Sequence, residues 1–202
     1  MNNTRVISTL TNNNNNNNNN KLDPNYVTGF TDGEGCFYIG ISPEKNNSGY
    51  RVKLSFQIGL HKKDLALLKL INSNFGVGKI SKLASDSVLF RVSSIDDLKV
   101  IIDHFDKYPL ISYKYKDYLL FKQAFELVQK KEHSSVEGLK KIVAIKASIN
   151  LKLSSNLKNV FPDVVPVTIP ELKDRKIHNY NWIAGFTDAE GCFFIKNLSH
   201  LN

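Results

Sequence analysis

Cysteine is scarce in this chain: Cys36 and Cys192 are the two copies among 202 residues, and five histidines are scattered without ligand-like spacing. That pattern excludes a structural zinc module, and two cysteines at matching places in a repeat need no disulfide to explain them. They read as small buried strand residues. No apolar run approaches the roughly 20 residues of a membrane span, so no membrane partner is expected. The opening "MNNTRVISTLTNNNNNNNNNK" lacks both the apolar core of a secretory signal and the Arg-rich pattern of a transit peptide. It reads as a disordered, Asn-rich leader over residues 1–22. A single Trp beside abundant Asn, Lys, Ile, Phe and Tyr points to AT-rich coding sequence and so to an organelle genome. Acidic residues are the minority: 19 Asp and Glu against 27 Lys and Arg give a net charge of +8 and a pI near 9.3. Such a field attracts polyanions, nucleic acid first among them.

What the chain does contain is a repeat. "YVTGFTDGEGCFYI" starts at Tyr26 and "WIAGFTDAEGCFFI" at Trp182. The first copy predicts a short helix with Asp23 as cap and Pro24 in its first turn, followed at once by strand. In "CFYIGIS", Phe37, Ile39 and Ile41 alternate with Tyr38, Gly40 and Ser42. In "RVKLSFQIGL", Val52, Leu54, Phe56 and Ile58 alternate with Arg51, Lys53, Ser55 and Gln57. One sheet face is therefore apolar and the other polar or cationic. A helix through Leu65, Leu68, Ile71 and Phe75 stops at Gly76. A second hairpin and a helix capped by Ser94 follow, with Asp97 completing a capping-box-like start. Helical spacing returns from Tyr113 to about Lys131 and from about Val136 to Leu153. Pro162, Pro166 and Pro170 make residues 155–180 read as a linker that is not regular helix.

Within each copy the small residues Gly29 and Gly33, or Gly185 and Ala189, lie four apart on one helix stripe, which permits close approach of two backbones. Each copy ends in a carboxylate, Glu34 or Glu190, immediately before a Gly and a strand. Parallel packing of the two helices would bring these acids together at one end, and a close carboxylate pair calls for a neutralising divalent cation. Helix C-terminal carbonyls would add hard oxygen ligands. Asp32 and Asp188 face elsewhere on the helix and read as solvated or capping residues.

"VTGFTDGEG" and "IAGFTDAEG" resemble the signature helices of the LAGLIDADG homing endonucleases, in the single-chain, two-motif class. "LSFQIGLHKKD", "LKVIIDHFDKYPLI" and "LLFKQAF" are also similar to segments of fungal mitochondrial members. The resemblance implies an α+β fold of pseudo-symmetric half-domains, each αββαββα, with a four-stranded antiparallel DNA-binding sheet and helices on its opposite face. It divides the chain into a leader (1–22), a first half-domain (23–154), a linker (155–180) and the start of a second half-domain (181–202), of which only the signature helix and first strand are present. It further implies site-specific double-strand DNA cleavage by two-metal phosphodiester hydrolysis with Mg²⁺, in the mitochondrion.

Carried onto matching positions, Glu34 and Glu190 with the carbonyls of Gly33 and Ala189 are the implied metal ligands. Gln57 and Lys114 complete the implied catalytic set, and Tyr38, Arg51, Lys53, Ser55, Gln57, Lys79, Lys82 and Arg91 the DNA-contacting set. Polar strand residues specify bases and scattered Lys and Arg position phosphates. The chain ends at Asn202, soon after Glu190, so it resembles a C-terminally truncated member whose cutting would be impaired and whose missing half a second chain could supply. The alternative functions are an intron RNA maturase, with intron RNA as partner, or a non-catalytic DNA-binding relic.

Overall fold

The computed structural model describes residues 21–44, 49–149, 153–169, 171 and 175–192. The leader up to residue 20, the tip of the first hairpin and the strand expected after residue 192 lie outside them. Helix α1 (Pro24–Glu34) starts as its sequence dictates. Asp23 accepts the Asn25 backbone N–H at 2.8 Å, and Pro24 occupies a first-turn position whose missing N–H leaves nothing unpaired. Leu22, read as the last residue of the leader, is 2% exposed and belongs to the core. A lone apolar residue at the end of a polar tract has no period to reveal it.

Strand β1 (Gly35–Pro43) leaves α1 without a linker and pairs antiparallel with β2 (Tyr50–His61). A 3₁₀ turn at Lys62–Asp64 leads to α2 (Leu65–Phe75), which ends at Gly76 with φ 70°, a left-handed stop suited to glycine. Strands β3 (Lys79–Lys82) and β4 (Ser87–Val92) complete a four-stranded antiparallel sheet of order β1-β2-β4-β3. Helix α3 (Ile95–Lys107) opens on Ser94, whose hydroxyl accepts the Asp97 N–H at 3.1 Å. Helices α4 (Lys114–Gln129), α5 (Val136–Ser148), α6 (Ser155–Val160) and α7 (Tyr180–Glu190) follow. The fold is α+β, as expected. Among the described residues no helix is long and apolar enough to cross a membrane.

Two expectations about this region differ from the structure. Helix α5 stops at Ser148, because Ile149 turns to extended backbone (φ −100°, ψ 137°) while its side chain stays 3% exposed. Its burial continues the helical spacing without helical geometry. The segment 155–180 is not free of helix either, since α6 fits between its Ser154 cap and Pro162. Proline ends a helix without forbidding one upstream. The segment is also strapped to the domain: Ser148 Oγ donates to the Val167 carbonyl at 2.8 Å, and Arg175 donates to the Leu110 carbonyl at 2.9 Å while its guanidinium lies 3.5 Å from the Tyr115 ring centroid.

Strand alternation builds the core. Phe37, Ile39, Leu54, Phe56, Ile58 and Phe90 face the helices, where the Phe37 ring meets Phe56, Phe105, Tyr118 and Phe121 at 5.3–5.7 Å. β1 is an edge strand, and Lys146 from α5 covers part of that edge by donating to the Ile39 carbonyl at 2.7 Å.

His104 sits inside this core against Phe75 and Phe105, with Nε2 3.2 Å from Thr28 Oγ1. The single Thr28 hydroxyl proton goes to the Tyr108 carbonyl, so Thr28 accepts from His104. Burial penalises the imidazolium and lowers the His104 pKa from 6.5 to about 4. The unfolded chain therefore takes up this proton first as pH falls. The contribution is complete above about pH 6.5 and is lost on descending toward pH 4, amounting to about 3 kcal/mol. Denaturant unfolding as a function of pH should show a shallower decline across that window for His104→Phe than for the unaltered protein.

Candidate active site

Helices α1 and α7 pack in parallel, since residues 26–30 face 182–186 while Gly33 faces Ala189 and Glu190. The crossing is a contact between backbones. A β-carbon on Gly29 would collide with the Trp182 carbonyl and lie 3.0 Å from the Phe186 nitrogen; one on Gly185 would collide with the Tyr26 carbonyl and lie 2.8 Å from the Phe30 nitrogen. The small-residue stripe expected from the repeat is this interface.

Equivalent residues of the two copies then exchange hydrogen bonds. Trp182 Nε1 donates to Asp32 at 2.7 Å, and Tyr26 Oη donates to Asp188 at 2.8 Å. Asp32 also accepts from the Ile111 N–H (2.8 Å), the Ser112 N–H (3.1 Å) and the Ser112 hydroxyl (2.6 Å). At 5% exposure it is neither solvated nor a cap of its own helix. Asp188 is exposed but likewise bonded across the pair. Helical rotation alone could not show that residues 111–112 and the partner aromatics converge on these carboxylates.

The same geometry delivers both glutamates to one end. Glu190 Oε1 lies 3.5 Å from where a Gly33 β-carbon would be. Burial, then Glu190, then Asp64 raise the Glu34 pKa, with Lys114 acting against them. Lys114, at the start of α4, donates its ammonium to the Gly33 carbonyl and is felt by Asp32, Cys36, Glu34 and Glu190. Burial nevertheless leaves its pKa below the ordinary lysine value. Asp64 and Ser112 were not singled out from the sequence, because only chain crossings bring them here. Among the described residues no cluster of three or more His, Cys, Asp or Glu could hold a metal. The available donors are two carboxylates and helix-end carbonyls, an all-oxygen set that fits a hard divalent cation rather than zinc.

Sheet register puts Cys36, Gln57, Arg91 and Lys79 in one row crossing all four strands, with Tyr38 and Ser55 in the next row and Lys53 and Arg51 beyond. All share the face away from the helices. Lys82 pairs with Val88 and keeps the parity of Ile80 and Phe90, so the two-residue period assigns it to the other face. Ser55 is 5% exposed and accepts from Gln57 Nε2 at 2.7 Å, which orients Gln57. Cys36 and Cys192 are both exposed, contrary to the expectation of buried strand residues. Cys36 belongs to the polar parity of β1, and Cys192 follows α7 outside any strand. Lys146, unexpected from the sequence, lies 5.7 Å from the Tyr38 ring centroid.

The fold and site define an α+β half-domain docked through a duplicated acidic helix. The LAGLIDADG endonuclease family profile matches residues 27–125. "Probable intron-encoded endonuclease 2" of Neurospora crassa is 41% identical over 188 residues, 86% of this chain and 42% of the relative. "Probable intron-encoded endonuclease 3" of the same organism is 42% identical over 180 residues, 87% of this chain and 34% of the relative. Among solved structures, the LAGLIDADG meganuclease I-CpaMI bound to uncleaved DNA superposes with a TM-score of 0.81 at 45% identity over 84% of this chain and 58% of the other. I-SmaMI bound to uncleaved DNA with calcium ions gives 0.81 at 42% identity, also over 84% and 58%. The chain belongs to the LAGLIDADG endonuclease family. It spans less than half the length of these curated relatives.

Gly29→Ala should destabilise the protein by about 1–3 kcal/mol, because the obstructing atoms are backbone and cannot rotate away. Gly59→Ala, whose β-carbon would meet only Leu89 Cδ1 at 3.8 Å, should cost far less in the same thermal melts. Asp32→Asn should lose about 1–3 kcal/mol in chemical denaturation, since its amide turns a donor toward donors of Ser112, Ile111 or Trp182. Asp188→Asn, with one partner and more solvent, should lose less.

Proposed function

We propose that this chain belongs to a site-specific DNA endonuclease that hydrolyses both strands at an intron-insertion site using Mg²⁺. The observation that carries the reading is the meeting of Glu34 and Glu190 at the shared end of α1 and α7, beside a cationic sheet face. The DNA-bound relatives support double-stranded DNA as the substrate. Relatives described as lying in an ND4 intron of Podospora anserina and encoded by a cox1 intron of Schizosaccharomyces pombe support a mitochondrial, intron-encoded setting. The former is 50% identical over 55% of this chain and 26% of the relative, the latter 32% over 86% and 42%.

In this reading Glu34, Glu190 and the carbonyls of Gly33 and Ala189 hold the metal. Bound there, Mg²⁺ supplies Lewis acidity to the scissile phosphate and lowers the pKa of water. Gln57, held by Ser55, stands in the strand row that begins at Cys36, two residues after Glu34. Lys114 offsets negative charge around the acids and the incoming phosphate. Tyr38, Arg51, Lys53, Lys79 and Arg91 spread over the polar face, where cations fix register on phosphates and polar atoms read base edges. Ser55 acts through Gln57, and Lys82, on the opposite parity, is not part of this surface.

The test is incubation of the protein with Mg²⁺ and a duplex spanning the intron-insertion site. Site-specific cutting should be abolished by Glu34→Gln with folding intact. Lys79→Ala should reduce the dependence of log affinity on log salt by about 1 if Lys79 meets a phosphate. Affinity and salt slope both unchanged in Lys53→Ala, Lys79→Ala and Arg91→Ala would remove this face from the DNA interface.

A further inference from the structure

Lys114 is delivered to the acids by a rigid route. Asp32 grips the backbone of Ile111 and Ser112, the Ser112 hydroxyl accepts the Lys114 N–H at 3.2 Å, and α4 begins there. The ammonium ends on the Gly33 carbonyl, one of the last carbonyls of α1, where intrahelical partners run out. Around it stand Asp32, Cys36, Glu34 and Glu190. An ammonium has three donors and no acceptor, so at this spot it serves the carbonyl and the carboxylates as a cation.

We propose that Lys114 is a resident counter-cation that a divalent metal displaces, so that metal entry drives its ammonium off Gly33 and toward the surface where substrate lies. The proposal rests on reading Glu34, Glu190 and the Gly33 carbonyl as the metal site. A dication ligated by that carbonyl would sit within a few ångströms of the ammonium, and two cations on one oxygen repel. The carboxylates can instead be neutralised by either cation in turn. The metal-free protein thereby keeps its acids paired against their mutual repulsion, and the lysine becomes free for a phosphate only when metal has replaced it.

Two measurements on the purified chain without DNA, at pH 8, test this. In the first, lysines are acylated with and without Mg²⁺ and quantified by mass spectrometry, with the remote, exposed Lys130 as internal reference. Labelling of Lys114 should rise several-fold with Mg²⁺. In the second, Mg²⁺ binding is measured by calorimetry; Lys114→Met should bind about tenfold more tightly, because no charged hydrogen bond has to be broken for metal to enter. Circular dichroism reports whether that variant folds, and the labelling result on the unaltered chain stands regardless. Unchanged Lys114 labelling while Mg²⁺ binds, equal or weaker binding by a folded Lys114→Met, or no Mg²⁺ binding by either protein overturns the displacement. Mg²⁺ binding that survives Glu34→Gln overturns the reading of the acids as the metal site and the displacement with it. Loss of binding in Glu34→Gln beside unchanged Lys114 labelling overturns the displacement alone.

Discussion

Two helix backbones touch at Gly29 and Gly185, and the meeting of Glu34 with Glu190 follows from that contact. Carboxylates of like charge do not come together unaided, and the raised Glu34 pKa records part of their conflict. Packing of α1 against α7 opposes the repulsion. Because the helices are parallel, the C-terminal ends of both dipoles point to the same place and deepen its negative potential. A site of this polarity is a poor one for an isolated anion and a good one for a cation.

Asp32 connects the helix pair to the rest of the domain. One buried carboxylate takes hydrogen bonds from α7 through Trp182 and from the turn before α4 through Ile111 and Ser112. The turn in turn aims Lys114 at the end of α1. The residue that aligns the two signature helices is therefore also the one that positions the positive charge beside the acids. A defect at Asp32 would act on helix docking and on the electrostatics of the site together.

The sheet contributes a second, independent constraint. Its antiparallel register fixes which side chains share a row, and the row from Cys36 through Gln57 and Arg91 to Lys79 starts two residues after Glu34. Cationic and hydrogen-bonding groups are thus indexed to the acids by the backbone itself. The strapped segment leading to α7, held by Ser148 and Arg175, returns the chain to the side of α1 on which it docks.

Local order was legible without coordinates: the Asp23 and Ser94 caps, the Gly76 stop, strand alternation in β1 and β2, and the duplicated helix with its small-residue stripe. These depend on neighbours within a few residues, where period and capping chemistry are decisive. The pairing of Glu34 with Glu190 was legible as well, because a repeat carries its own symmetry. Leu22, the extended Ile149 and α6 escaped, since single residues and short segments have no period. The sequence by itself determined which residues line each helix stripe and strand face and that two acids would be matched. Only the tertiary structure decided that Asp32 is a buried four-donor junction and that Lys114 rests on the Gly33 carbonyl. Each of those depends on a chain crossing between residues some 80 to 150 positions apart, and no local preference encodes such a meeting.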